Sequence, residues 1–345
     1  MKILGIESSC DETAAAIIEN GNTILSNVIV SQIDIHASYG GVIPEIAARS
    51  HIEAINPIIN QALSQANLVI QNVDAIAVTH TPGLVGSLLI GTLAARTLAI
   101  INNIPFYPIH HLKSHIYANW ISGHQPEFPL IAAVISGGHT QIIYMNRHDH
   151  FEIIGTTRDD AIGECFDKIA KILGLPYPGG PAIAKAAEKG NSTRYQLPIP
   201  KVNGLDFSFS GLKTAVLRAV QKELNLPITT PSYELQKHLS EQQITDFAAS
   251  FQATAVKIII QKLKKATQKY PVRSILLAGG VSANQLLREE LQKNFAENYQ
   301  VFYPQPNLST DNGAMVASAA YYSIQAGEKP GDPYELDISP RSTIK

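Results

Sequence analysis

The sequence predicts an α/β protein of two lobes with mixed sheets, and three observations carry that expectation. Short apolar runs alternate with segments of helical period along the chain, the pattern of sheets layered with helices. Some of the runs are joined through short polar or glycine-rich tips, which puts antiparallel hairpins inside otherwise parallel sheets. The hairpin also occurs twice: residues 2–6 and 14–18 flank Ser8-Ser9-Cys10-Asp11-Glu12-Thr13, and residues 130–135 and 141–145 flank Ser136-Gly137-Gly138-His139-Thr140. Such a weak internal duplication, in a chain of 345 residues with length for about two domains, points to two lobes whose tips meet on the floor of a cleft.

The elements between and after the hairpins follow in order. Residues 43–65 have apolar positions at helical spacing; 73–79 is a buried strand ending at Thr81-Pro82-Gly83; 86–101 reads as a helix, followed by a strand that Pro108 ends. Helices are expected at 162–173 and 181–189, on either side of the Tyr177-Pro178-Gly179-Gly180-Pro181 turn. Residues 191–210 are turn-rich. A long helix over 245–269 carries Lys262, Lys264, Lys265 and Lys269, a set that reads as a solvated face. Residues 274–278 form a buried strand feeding Gly279-Gly280 and a helix over 283–294, and the tail from Pro330 reads as loop.

Composition narrows the class. With 45% hydrophobic and 16% charged residues the chain is not globally disordered. Its 27 Lys+Arg against 29 Asp+Glu leave a net charge of -2, which removes the broad basic footprint of a free-standing nucleic-acid binder but not a local patch or a partner's surface. Cys10 and Cys165 cannot build a disulfide framework and suit a reducing compartment. The most apolar stretch, residues 88–101, contains Arg96 and falls short of the ~20 residues that span a bilayer. Glu7 interrupts the first apolar run, so no signal-peptide core is expected. A cytoplasmic chain without a membrane segment is the expectation.

The residues that could carry chemistry are few. His110, His111 and His115 follow Pro108, and on a helix positions four apart share a face, so His111 and His115 can reach one metal while His110 points away. A lone histidine pair of this spacing is more often structural. Asp311, at a helix start in Ser309-Thr310-Asp311-Asn312-Gly313, supplies a third ligand, and two imidazoles with one carboxylate leave coordination positions open, as catalytic Fe²⁺ or Zn²⁺ sites do. Leu112 stands where a zinc peptidase needs its glutamate, which argues against peptide hydrolysis. The tip Ser136-Gly137-Gly138-His139-Thr140 lets backbone approach a phosphate. The strand opening through Gly279-Gly280 onto a helix favours anions, with Asn284 placed to bond a nucleoside or simply to cap the helix. Asp167 by default pairs with Lys168 or Lys171, and Cys10 reads as packed rather than reactive.

Six segments together, Glu7 to Thr13, His111 to His115, Ser136 to Thr140, Tyr177 to Pro181, Ala278 to Asn284 and Ser309 to Met315, stand in the order and spacing of the TsaD family, also called Gcp, and the chain resembles that family over nearly its whole length. The resemblance implies a two-lobed fold like that of actin, sugar kinases and heat-shock chaperone ATPases, of ribonuclease H-like type. It further implies transfer of the threonylcarbamoyl group of threonylcarbamoyl-AMP to N6 of adenosine 37 in tRNAs reading ANN codons, with release of AMP. It places His111, His115 and Asp311 at one divalent metal per subunit, Fe²⁺ or Zn²⁺. Ile135, Ser136, Gly137, Gly138, His139, Asp167, Gly180 and Asn284 fall around the substrate; for that transfer, His139 is the expected acceptor of the amine's proton, with Glu12 as the alternative. Partners of the TsaB and TsaE kinds and tRNA are implied too. The lobes are expected at 1–112, joined by 316–345, and at 113–315. Ala184 departs from the family, many members being acidic there. An ATP phosphotransferase or ATPase of the same fold and a non-catalytic nucleotide-binding scaffold are the competing readings, neither of which needs the histidine pair.

Overall fold

Period-two alternation decides the architecture. In β1 (Lys2–Glu7), Ile3 packs with one hydrophobic cluster while Leu4 and Ile6 pack with another, so the strand is buried on both faces. The same holds for β2 (Glu12–Glu19), whose Ala16 and Ile18 face one way and Ala15 and Ile17 the other. The computed structural model of the chain describes residues 1–335 and 338–344. After β2 come β3 (Thr23–Ser31), α1 (Ile33–Ala37), α2 (Pro44–Gln65), β4 (Ala75–Thr81), α3 (Val85–Asn102), β5 (Phe106–His110) and α4 (His111–Ile121). The second hairpin is β6 (Leu130–Ile135) and β7 (Thr140–Arg147), continued by β8 (His150–Thr156), α5 (Ile162–Leu173), α6 (Gly179–Ala187), α7 (Ser210–Glu223), α8 (Ser232–Leu235) and α9 (Glu241–Lys269). Then follow β9 (Ser274–Ala278), α10 (Gln285–Phe295), β10 (Gln300–Phe302), α11 (Pro306–Ser309) and α12 (Gly313–Gln325).

The two sheets share one topology. The first runs β3-β2-β1-β4-β5 and the second β8-β7-β6-β9-β10, each with an antiparallel meander on one side and parallel strands on the other. The duplicated hairpin in the sequence is therefore the visible part of a duplicated sheet. Helices α2 and α3 cover the outer face of the first sheet, and α5, α6, α7, α9 and α10 that of the second. Between the sheets lie α4 and α12, buried with Ile3 and Ala77 of one sheet and Leu130, Val134 and Leu276 of the other. The division expected at 112/113 falls inside the first turn of α4.

Close approach of α12 to the first sheet depends on glycine. A Cβ on Gly5 would lie 2.2 Å from the Gly313 carbonyl oxygen, and one on Gly313 would lie 2.6 Å from the Ala16 nitrogen. No side chain fits there, so the N-terminus of α12 seats directly on β1 and β2, and the residues just before it are held at the strand ends.

Several sequence expectations change at this level. The strand expected to stop at Pro108 continues to His110, because β5 is an edge strand bonded only to β4 and an edge tolerates a residue without N–H. After Gly279-Gly280 the chain makes a 3₁₀ turn over Gly280–Ala283, and the α-helix starts only at Gln285. Lys262 does not belong to a solvated face: it is buried, and its Nζ donates to the carbonyls of Val202 and Gly204 at 3.0 and 2.9 Å. Helix α3, at 18 residues and mean hydropathy 1.5, is long and apolar enough by length and composition to cross a membrane. Its Ser87, Leu88, Gly91, Thr92, Ala95 and Ala99 side is buried, and Arg96 donates to the Pro333 and Tyr334 carbonyls.

Candidate metal centre and cleft

Two chain segments bring the three metal candidates together. His111 opens α4 and His115 follows one turn later, so both project from one side of a helix lodged between the sheets. Asp311 comes from the segment before α12, which the Gly5–Gly313 contact presses toward the ends of β1 and β2. Its Oδ1 lies 3.7 Å from His111 Nε2 and 3.1 Å from His115 Nε2, and the candidate ligand atoms of the three residues all lie within 4.8 Å of one another. His110, the third histidine of the run, is elsewhere. Its Nδ1 accepts from the Leu112 N–H at 3.2 Å as a helix cap, and burial brings its pKa down to about 3.

Glu7 is the residue that pattern reading underrated. It is fully buried, and three donors converge on it: the Ser9 N–H at 2.6 Å, the Thr79 hydroxyl at 2.6 Å and His111 Nδ1 at 3.2 Å. With Nδ1–H given to the carboxylate, His111 keeps Nε2 as a lone-pair donor facing Asp311, which is the tautomer a metal ligand needs. The signal available in the sequence was an acidic residue closing an otherwise apolar strand.

The electrostatics tie the three candidate ligands together. Burial alone would lower the His111 pKa, but Asp311 and Glu7 outweigh it and hold it up at about 9. Burial would raise Asp311, but the charges of His111 and His115 bring it down to about 2. Both ring nitrogens of His115 are buried without a hydrogen-bond partner, the 3.1 Å approach to Asp311 lacking hydrogen-bond alignment. A buried imidazole left this way is costly unless something else occupies its lone pair. The donor set, two imidazoles and a carboxylate converging on one point, fits a divalent ion with open positions.

Beside these ligands lies a cavity of ≈ 310 Å³ lined by both hairpin tips, Ser9 to Glu12 and Ser136 to His139, with Gly83, His111, Gly280, Thr310 and Asp311. Gly137 and Gly138 are exposed, and a Cβ on either would meet nothing within 4 Å, so their backbone is open to a ligand. Burial, then the neighbouring His111 and His115, bring His139 down to about 4. Burial, with Asp311 and Asp11 alongside, pushes Glu12 well above the usual carboxyl value. Cys10 is raised by burial and Asp11, which leaves it a thiol and inert.

An adjoining cavity of ≈ 470 Å³ is lined by Gly40, Gly41, Gly137, Gly138, Asp167 and Tyr177, among others. Asp167 is not paired with a lysine as expected: its Oδ1 accepts from the Gly179 N–H at 2.7 Å, while Lys168 pairs with Asp160 and Glu164. Gly180 sits in the first turn of α6 with open space where a Cβ would be. Ile135 is fully buried in the outer core, and its backbone carbonyl lies against Gly279, 2.5 Å from where a Cβ would be. Asn284 lines neither cavity. Its Oδ1 accepts from the Leu287 N–H at 3.1 Å, capping α10, and its Nδ2 donates to Gln252 at 2.9 Å.

Comparison with known proteins gives consistent findings. The model of the family described as TsaD, tRNA N6-adenosine threonylcarbamoyltransferase, matches residues 23–318. A relative from Caldicellulosiruptor bescii is 48% identical over 95% of this chain and 94% of its own length, and one from Dehalococcoides mccartyi is 46% identical over 100% and 99%. Both carry the name tRNA N6-adenosine threonylcarbamoyltransferase. Among solved structures, HypF of T. kodakarensis is similar at a TM-score of 0.64 and 13% identity, over 94% of this chain and 48% of that one, so this chain spans about half of HypF. The activator of 2-hydroxyisocaproyl-CoA dehydratase from Clostridium difficile is similar at 0.52 and 14% identity, over 96% and 100%. At those identities the structures show the fold alone, the two-lobed actin-like ATPase and sugar-kinase type.

Proposed function

The chain belongs to the tRNA N6-adenosine threonylcarbamoyltransferase family, and from that premise we propose how its cleft performs the transfer. The enzyme is an acyltransferase that forms N6-threonylcarbamoyladenosine in tRNA. The observation that carries the reading in this chain is the convergence of His111, His115 and Asp311 beside two hairpin tips. A phosphotransferase of this fold needs the tips but has no use for two imidazoles.

In the proposed reaction the N6 amine of the tRNA adenosine bonds to the carbonyl carbon of threonylcarbamoyl-AMP, the bond from that carbon to the phosphate oxygen breaks, and AMP leaves with its electron pair. Catalysis is then mostly orientation and charge stabilisation. The open backbone at Ser136, Gly137 and Gly138 holds the phosphate, with Ile135 anchoring the tip in the core. Asp167, Gly180 and Asn284 attend the nucleoside, Asn284 by exchanging its Gln252 contact for the ligand. The proton lost by the amine goes to a group in the same cavity. Glu12, whose carboxyl burial and the neighbouring Asp311 and Asp11 raise well above the usual carboxylate range, is the better matched acceptor. His139, at about 4, is neutral at physiological pH and suits hydrogen bonding to the donor more than proton capture.

His111, His115 and Asp311 would hold the divalent ion, Fe²⁺ or Zn²⁺ by their ligand chemistry. When bound it supplies a positive charge that favours the oxygens of the donor. The reading places the enzyme in the cytoplasm with tRNA, threonylcarbamoyl-AMP and protein partners of the TsaB and TsaE kinds. Ile52 of α2 and Leu93 and Ile101 of α3, exposed by 58%, 46% and 75%, offer such a partner an apolar face.

The test is mass analysis of tRNA nucleosides after incubation with partners and donor. Wild type should form the modified adenosine. His115→Ala should not, while still binding AMP. Modification at the normal rate without His115 and without metal would overturn the mechanism, and ADP formed from ATP with a small-molecule acceptor would replace it by phosphotransfer.

A further inference from the structure

Arg288 is 8% exposed, on the first turn of α10, and has no carboxylate within ion-pair distance among the described residues. A buried guanidinium stays charged, so its surroundings must satisfy it by other means. Its Nε donates to the Ser282 carbonyl at 2.6 Å, and its Nη2 donates to the Pro304 carbonyl at 3.0 Å and to the Ser309 hydroxyl at 3.3 Å. The guanidinium carbon stands 4.6 Å from the centre of the Tyr303 ring, an attractive cation–π arrangement.

The acceptors belong to two different segments. Ser282 lies in the 3₁₀ turn that follows Gly279, and Gly280 of that turn lines the cleft. Pro304 lies just before α11 and Ser309 ends it, two residues before Asp311. These segments touch at the cleft: a Cβ on Gly280 would lie 3.9 Å from Thr310 Cγ2. Downstream, Asn312 locks the other side of Asp311, its Oδ1 accepting from the Met315 N–H at 2.9 Å and its Nδ2 donating to the Thr310 carbonyl at 2.8 Å. Asp311 is thus suspended between Arg288 behind and Asn312 ahead.

We propose that Arg288 is a positioning residue that sets Asp311 in register with His111 and His115 and fixes the Gly279–Ala283 turn beside it, so that one side chain serves both the metal end and the nucleotide end of the cleft. The inference rests on the metal and nucleotide reading given above. A planar fork with several fixed donors can hold two segments at once; a lysine in the same place has a single nitrogen and cannot reproduce the spacing. Ligand-supporting groups of this kind commonly change metal affinity by ~10–100-fold when lost.

The test uses the full chain and needs no turnover. Zn²⁺ affinity is measured by competition with a chelator and AMP affinity by calorimetry, for wild type, Arg288→Lys and Ser309→Ala. The fraction folded is taken from circular dichroism, so each affinity refers to folded protein. Arg288→Lys should lower Zn²⁺ affinity by about tenfold or more and weaken AMP binding as well. Ser309→Ala removes the hydroxyl acceptor on the Asp311 side, with its own bond to the Gln305 carbonyl at 3.1 Å, and leaves the Ser282 side untouched, so it should lower Zn²⁺ affinity while AMP binding is retained. That split is not expected from a general loss of packing, and Ser309→Ala, a small change, carries the test if Arg288→Lys does not fold. Unchanged Zn²⁺ affinity in both variants, with wild type binding normally, would overturn the proposal and leave the metal reading intact. Wild type binding no Zn²⁺ at His111, His115 and Asp311 would overturn both.

Discussion

Three donors surround the Glu7 carboxylate, one of them the His111 imidazolium of the metal-free protein, and that count says what a substitution there must do. In Glu7→Gln the amide nitrogen would face the Ser9 N–H, the Thr79 hydroxyl or His111 Nδ1, all of which now donate, so at least one buried donor loses its acceptor. His111 loses both its orienting bond and a charge that raises its pKa. Metal affinity should drop by about 10–100-fold, read by chelator competition, and an unchanged value would remove Glu7 from the site. The same charges make metal uptake pH-dependent. His111 must be neutral to ligate, and without metal its pKa is about 9, so the ion displaces a proton at neutral pH. Apparent affinity should rise by about tenfold per pH unit between 7 and 9. Calorimetry in buffers of differing ionisation enthalpy should show about one proton released per ion at pH 7. For the metal-free protein the linkage has two signs. His111, raised above its ordinary 6.5, contributes stability that is complete below that value and is lost as pH climbs through about 9. Asp311, depressed from 3.8, contributes stability present above that value and lost as pH falls through about 2. Melting temperatures measured without metal should therefore fall on both sides of the interval between those ordinary values.

At the scale of elements, the tips and the cap answer different questions. Gly137 has empty space where a side chain would go and a backbone that does not need glycine's left-handed region. Gly137→Ala should therefore leave the melting temperature nearly unchanged while weakening AMP binding, since the methyl group occupies ligand space; retained AMP affinity would mean the tip does not meet the phosphate. Asn284→Ala removes the α10 cap and the Gln252 contact together, costing about 1 kcal/mol of stability for the cap, which chemical denaturation would register. A loss of AMP affinity beyond its effect on folding is what would assign Asn284 to the substrate. These contrasts mirror what the sequence made legible. Buried hairpins such as β1 with β2 and β6 with β7 announce themselves through apolar runs, because both faces of each strand are covered. The outer strands β3 and β8 do not: β3 mixes exposed and buried positions without clean alternation, and its place is set by pairing with β2 rather than by its own pattern. Helix α7 hides for a related reason, beginning directly out of an irregular stretch with its first turn tied down by Asp159, which accepts from the Phe209 and Ser210 N–H groups at 2.7 and 3.2 Å. That anchor is some fifty residues away and invisible to a local reading. Glu7 and Arg288 share this character, since their roles come from partners brought by other segments.

Across the whole molecule, the duplicated sheets place the tips Ser9 to Glu12 and Ser136 to His139 at one end, while the charge balance limits what the chain can hold there unaided. Neutralising tRNA phosphates takes clustered Lys and Arg, and each such contact steepens the fall of affinity with salt. With a net charge of -2, and with Lys262 withdrawn into the core to hold the Val202 and Gly204 carbonyls, the basic residues left exposed on α9 are Lys257, Lys264, Lys265 and Lys269. The isolated chain should bind tRNA weakly at physiological salt, and protein partners should tighten binding by adding positive surface alongside the cleft. Filter binding across a salt series separates the contributions. If Lys264 and Lys265 touch phosphate, replacing both by Gln should flatten the log–log salt slope by about 2, one for each lost contact, in the assembled complex as well as in the chain alone. An unaltered slope in the complex would assign those lysines to solvent and leave the partners as the source of phosphate contacts. Tight, salt-insensitive binding by the isolated chain would instead show that base stacking and shape, rather than charge, deliver the adenosine to the cleft.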